Sequence, residues 1–281
     1  MRKRLCAGLV VLWFTMPAAA QPQDAALIER GRYLVEVTGA CGNCHTPMGP
    51  QGPLPGQHLA GGTVFDLPPG RAVAPNITPD PETGIGRWTD AQIATAIREG
   101  KRPDGSLIGP PMPMAFYRGL ADRDLTAMVA YLRTVPPVRN ATDKSAYRIT
   151  LPPAYGPPVG RVDPPADTPV ARGAYLAGPV AHCLECHTPM LPNGHSDMTR
   201  LGAGGVEIPG PWGVSVARNI TPHANGLRDW SDAEIIRAIT QGISRDGRQL
   251  APPMAFWAYR NMSRQDLTDL VAYLRSMPPQ P

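Results

Sequence analysis

The chain has 281 residues, long enough for two small domains with a core in each. Its 27 basic residues exceed its 23 acidic ones, but Arg2, Lys3 and Arg4 lie in an N-terminal stretch that reads as removable, so the formal charge falls from +4 to +1. Only Lys101 and Lys144 then remain as lysines, with no basic run, which argues against nucleic acid or an anionic membrane surface as a partner.

Residues 1–20 have the pattern of a secretory signal: the basic start, an apolar run from Leu5 to Phe14, and Ala18-Ala19-Ala20 as a small-residue cleavage site before Gln21. The apolar run is shorter than the ~20 residues a bilayer span needs, which disfavours an uncleaved anchor. Cys6 is expected to leave with the signal. No later segment has the length and apolarity of a span, so the mature chain is expected to have no transmembrane segment and to associate with a membrane only peripherally, through a partner. The expected location is the bacterial periplasm.

Next, "AALIERGRYLVEVTGAC" places apolar residues at helical spacing and runs into "CGNCHTPM" at residues 41–48. Gly31 would let another helix cross closely, and Tyr33 is expected to fill the adjoining core. Cys41, Cys44 and His45 make C-x-x-C-H, the attachment signature of c-type haem. Two thiols on one helical turn add to the two vinyl groups while the adjacent imidazole reaches the iron. The competing readings are a redox disulfide and half of a zinc site.

Beyond the motif come "NITP" at Asn76, the acidic loop "TPDPETGIG" and Trp88. Asn76, Thr78 and Trp88 are read either as donors to haem propionates or as a turn and a core residue. The acidic loop lacks an EF-hand spacing and reads as a turn. "TDAQIATAIREG" is a helix with Thr89 as N-cap, Gln92 completing a capping box and Gly100 ending it. The loop "GPPMPM" precedes a last helix whose inward face is Leu125, Met128, Val129 and Leu132. Ala121 cannot cap that helix, so Asp122 is expected to do so.

A proline-rich segment, residues 140–167, follows as an extended linker, with "YRITLP" as the candidate for a short pairing with one domain. The pattern then repeats. "CLECHTPM" places Cys183, Cys186 and His187 a constant 142 residues after their first counterparts; Gly173, Tyr175, Trp230 and "LRSMPP" keep that offset, while Asn219 and Thr221 are shifted by one more. "SDAEIIRAITQG" repeats the capped helix with Ser231, Glu234 and Gly242, and Leu267, Leu270, Val271 and Leu274 repeat the last inward face. The expected division is 1–20 signal, 24–139 first domain, 140–167 linker and 168–281 second domain.

The sixth position on each iron decides between ligand chemistry and electron transfer, because methionine closes it and raises the potential. Met48 and Met190 lie three residues past their histidines, on the wrong face. Met128, Met262, Met198 and Met277 lack a methionine counterpart in the other copy. Met112 and Met254 recur in Pro-Pro-Met loops, each 67 residues after its histidine, and are the axial candidates; Met114 is the rival in the first copy. His58, His182, His195 and His223 have no counterparts and read as loop or surface residues.

"CGNCHTPM", "NITPDPETGIGRWTD", "GPPMP" and "DLTAMVAYLRTVPP" resemble the class I cytochrome c domains of multihaem cytochrome subunits that accompany periplasmic alcohol, aldehyde and gluconate-type dehydrogenases. The resemblance covers both copies. It implies an all-α fold of two tandem class I cytochrome c domains and two covalently bound haem c groups on Cys41, Cys44, Cys183 and Cys186. It also implies His45 and His187 as proximal ligands and Met112 and Met254 as distal ones. Those subunits typically carry three haem domains and often a C-terminal membrane-associating segment, so a two-haem chain ending at Pro281 is expected to be a soluble shuttle or a small dehydrogenase subunit.

The expected function is electron transfer from a periplasmic dehydrogenase to a downstream cytochrome or terminal oxidase, with no catalytic acid or base. The alternatives are a dihaem peroxidase, in which one iron keeps an open or displaceable position, and a haem-based redox or gas sensor.

Overall fold

Helix α1 (Pro22–Arg32) begins the computed structural model, which describes residues 22–49, 52–191, 195–210 and 212–281. The expected signal lies outside the described residues. Six residues, Tyr33–Thr38, continue α1 as a wider π-type turn, with Gly39 donating its backbone N–H to Leu34 at 2.7 Å. Ala40 then takes a left-handed conformation (φ 43°), and α2 (Gly42–His45) carries the first motif.

The connecting segment is not structureless. Strands β1 (Met48–Gly49) and β2 (Gly52–Pro53) pair, and β3 (Val64–Leu67) and β4 (Gly70–Val73) form an antiparallel hairpin with Val64 opposite Val73. Helix α3 (Asp90–Glu99), the short α4 (Met114–Tyr117) and α5 (Asp122–Leu132) complete the copy. From the linker, β5 (Ala146–Tyr147) adds a third strand beside β4, with Tyr147 opposite Gly70.

The second copy follows the same plan: α6 (Pro169–Tyr175), a π-type turn over Leu176–Val180, α7 (Cys183–Cys186), the hairpin β6 (Glu207–Gly210) and β7 (Gly213–Val216), then α8 (Asp232–Gln241), α9 (Phe256–Tyr259) and α10 (Arg264–Ser276). The all-α expectation is thus met only in part: helices carry both motifs, while small antiparallel sheets occupy the connections. Glycine and proline keep these connecting segments out of helices, and their backbone groups are satisfied by zipping into small antiparallel sheets. The pairing anticipated for "YRITLP" occurs at its first residue, Tyr147, and Arg148 donates its N–H to Pro69 at 2.8 Å. Further along, Tyr155, Val159 and Val162 tack the extended linker onto the first copy.

The capping boxes form as read: Thr89 with Gln92, and Ser231 with Glu234, while Gly100 and Gly242 end their helices in the left-handed region. Each last helix crosses the first helix of its own copy at a glycine. A Cβ built on Gly31 would lie 1.9 Å from the carbonyl oxygen of Ala127, and one on Gly173 would lie 1.9 Å from that of Asp269. Only a hydrogen fits there, so the backbones touch and the inward faces mesh. Leu34 and Val35 join Leu125, Met128, Val129 and Leu132 in the core; Leu176 and Val180 join Leu267, Leu270, Val271 and Leu274. Each such side chain contributes about 1.5–3 kcal/mol by leaving water.

One expectation about this region needs correction. Asp122 does not cap α5: Ala121 is the N-cap residue, and the Asp122 carboxylate instead pairs with Arg98 at 2.7 Å and accepts from the Val162 N–H. Tyr33 and Tyr175 pack half-buried against the core as expected, but their hydroxyls reach beyond their own copies. The Tyr33 hydroxyl donates to Asp266 at 2.5 Å and accepts from the Ser263 N–H, at the start of α10. Reciprocally, the Tyr175 hydroxyl donates to Asp124 at 2.9 Å and accepts from the Ala121 N–H, at the start of α5. Each tyrosine thus completes the helix start of the other copy. Such an exchange of equivalent contacts is the signature of an isologous, two-fold-like interface, here within one chain.

Candidate haem-binding sites

Both motifs are held on a single helical turn. Cys44 and His45 each donate a backbone N–H to the Cys41 carbonyl (3.2 and 2.9 Å), and His187 does the same to Cys183 at 3.1 Å. The left-handed residue before each motif, Ala40 and His182, turns the chain out of the wide helical turn. The four cysteines are half-buried, and none is joined to another in a disulfide.

The imidazoles are oriented by carbonyls. His45 Nδ1 donates to the Pro75 carbonyl at 2.8 Å, and His187 Nδ1 donates to that of Arg218 at 2.6 Å. A carbonyl can only accept, so the proton is on Nδ1 and the Nε2 lone pair is left for a metal. Burial lowers the pKa of both rings, favouring the neutral form that ligation needs. The holding carbonyls are brought close by Gly61 and Gly204, where a Cβ would come within 2.4 Å and 2.5 Å of the chain at Pro75 and Arg218. Both also have positive φ (75° and 77°), so glycine is required on two counts. The neighbouring Thr46 and Thr188 hydroxyls accept from Leu59 and Gly202. Thiols on one turn beside an imidazole with a free Nε2 fit a covalent haem in both copies.

The Pro-Pro-Met loops match as well. Met112 and Met254 are half-buried against the core, and each has its carbonyl taken by the N–H two residues on, Met114 and Phe256. Met114 itself is 3% exposed and packs under the end of α3, its sulfur 2.5 Å from where a Gly100 Cβ would be. Met48 and Met190 are 58% and 48% exposed, while Met128, Met262 and Met277 are core residues.

Asn76 and Asn219 use their side chains locally. Asn76 accepts from the Thr78 N–H and hydroxyl and donates to Val138, and Asn219 accepts from Thr221 and donates to Gln280. They tie the loop to the segment after the last helix, which favours the turn reading over propionate binding. Asp80 similarly accepts from Glu82 and Thr83, closing the acidic loop as a turn. His58 bonds Glu36, and His223 accepts from Asn225.

The residues that sequence reasoning missed join the copies. The His182 ring meets Tyr117 edge to face at 5.7 Å and reaches the Gly39 carbonyl at 3.3 Å. Asn43, between the cysteines of the first motif, donates to the Pro253 carbonyl at 2.8 Å and accepts from Trp257 Nε1 at 3.2 Å. The tyrosines recur in register, which was a usable signal; Asn43 and Trp257 recur as Glu185 and Ala115 and gave none.

Among the described residues no helix is long and apolar enough to cross a membrane. The cytochrome c family model matches residues 28–136 and again 170–278. The chain is similar to a diheme cytochrome c-type protein of Cereibacter sphaeroides, 32% identical over 99% of both chains. It is also 33% identical to the cytochrome c subunit of a quinone alcohol dehydrogenase from Gluconobacter oxydans, over 99% of this chain and 60% of that one. The cytochrome subunit of a fructose dehydrogenase from Gluconobacter japonicus is 33% identical over 89% of this chain, which spans only 52% of it. The chain belongs to the cytochrome c family, as an electron-transfer protein with two tandem cytochrome c domains and two covalently bound haem c groups.

Proposed function

We propose that the protein receives electrons from a periplasmic dehydrogenase and passes them to a downstream cytochrome or terminal oxidase. In this reading residues 24–139 and 168–281 are the two domains, and an exported location follows from the signal pattern of residues 1–20. Cys41 and Cys44 anchor one haem and Cys183 and Cys186 the other. His45 and His187 would hold the irons through Nε2, and Met112 and Met254 would supply the further ligands. The haem supplies one-electron chemistry between ferric and ferrous iron. The polypeptide fixes the imidazoles through the Pro75 and Arg218 carbonyls, excludes water, and presents thioethers on the Pro-Pro loops.

The observation that carries the reading is the equivalence of the copies: the same imidazole-to-carbonyl bond and the same Pro-Pro-Met loop occur twice. A dihaem peroxidase needs its two sites to differ at that point. Similarity over the whole chain to the cytochrome subunit of the Gluconobacter alcohol dehydrogenase supports a dehydrogenase as donor. The test is a potentiometric titration of the holoprotein followed by its absorption spectrum, with Met112→Ala and Met254→Ala variants. Two haems at positive potential, each losing the far-red band of methionine-ligated ferric iron in one variant, are expected. One haem at far lower potential without that band in the wild type would overturn the reading.

A further inference from the structure

The two domains meet through their redox motifs. Asn43 belongs to the first haem-attachment turn, one residue from Cys44 and two from His45. Its amide nitrogen donates to the carbonyl of Pro253, the residue before Met254, at 2.8 Å. Its oxygen is oriented by Trp257 Nε1 at 3.2 Å, from helix α9, which follows the same loop. An indole N–H can only donate, so the two bonds together set which end of the amide faces the loop. Trp257 also lies against the motif itself, its ring 3.6 Å from where a Gly42 Cβ would be.

The bond is one-directional. The counterpart of Asn43 in the second motif is Glu185, whose carboxylate faces His182 at 3.5 Å. The His182 ring in turn abuts Tyr117 of the first domain. The first attachment turn therefore braces the methionine loop of the second domain by a hydrogen bond, whereas the residue before the second turn, His182, meets the Tyr117 ring and the Gly39 carbonyl of the first domain and not its Met112 loop. The tyrosine clamps also join the two domains.

We infer that Asn43 is a positioning residue for the second redox centre: from the first haem motif, across the domain interface, it fixes the loop that presents Met254. The inference rests on the axial role proposed for Met254. A loop held at Pro253 keeps the thioether at bonding distance, and methionine ligation favours ferrous iron and so a higher potential. Releasing the loop lowers the potential of the second haem and leaves the first, whose Met112 loop has no such brace among the described residues, nearly unchanged. The reduction of one haem is thereby sensitive to the packing of the other's attachment turn.

The experiment uses the full-length holoprotein, with two haems per chain verified for every variant. Met254→Leu first identifies which wave of the redox titration belongs to the second domain. Asn43→Ala removes both bonds; Asn43→Asp is isosteric, keeps the acceptor for Trp257 and loses the donor to Pro253; Trp257→Phe removes only the orienting donor. Asn43→Ala and Asn43→Asp are both expected to lower the second-domain wave by at least a threefold change in the ferrous to ferric ratio, about 28 mV at about 59 mV per tenfold. They also weaken the far-red band, with Trp257→Phe giving a smaller shift of the same sign. An unchanged second-domain wave in both Asn43 variants, a shift confined to the first haem, or an equal shift of both haems overturns the inference while the axial reading stands. If Met254→Leu leaves both waves and the far-red band intact, the axial reading fails, and this inference with it.

Discussion

Replacing Gly31 by alanine tests the packing that carries each motif. A methyl group there would lie 1.9 Å from the Ala127 carbonyl oxygen, 2.6 Å from its carbon and 2.7 Å from the Tyr131 Cβ. Real Cβ contacts keep at least 3.0 Å, so α1 and α5 must separate by about 1.1 Å. The obstacle is backbone, which cannot rotate away, so the cost belongs at the upper end for overpacking, about 3 kcal/mol. Alanine returns about 1 kcal/mol through its better helix propensity. The net loss is about 2 kcal/mol, or a fall in Tm of about 4–8 °C for a protein of this size. Thermal unfolding followed by circular dichroism measures it, with Gly160→Ala as the control. Gly160 lies in the linker with nothing within 4 Å of its built Cβ, so that variant should be neutral or slightly stabilised. A Gly31→Ala Tm within about 1 °C of wild type would refute the close-crossing argument.

Met114→Ala, by emptying a site that is 3% exposed, should cost about 2–5 kcal/mol while leaving the far-red band in place; loss of that band would make Met114 the ligand instead of Met112. Burial, reinforced by the bond to Asp266, raises the Tyr33 hydroxyl to about 12, above the value near 10 of an unfolded chain. Its contribution is therefore full below about pH 10 and lost as pH rises toward about 12. The Tm difference between wild type and Tyr33→Phe should narrow across that window, and a gap of constant size would show that the hydroxyl is not held as described.

The local chemistry of this protein was legible along the chain because it is written in contiguous residues. C-x-x-C-H needs one helical turn, a capping box needs four residues, and Gly31 and Gly173 announced close helix crossings by interrupting an apolar face. The duplication made each of these readable twice, and the same offset marked Met112 and Met254 as the paired candidates among eleven methionines. What the tertiary structure decided is everything that depends on distant segments meeting. The carbonyls of Pro75 and Arg218 that orient the imidazoles lie about thirty residues from them and have no side-chain signature. The hairpins form from segments that carry no clean alternation, and β5 pairs with β4 across more than seventy residues. Tyr33 and Tyr175 repeat in register, yet repetition alone does not say that each belongs to the other copy's helix start. Asn43 and Trp257 lack even that mark: a hydrogen bond spanning 210 residues is set by how two folded domains dock, and periodicity within a segment carries no record of it.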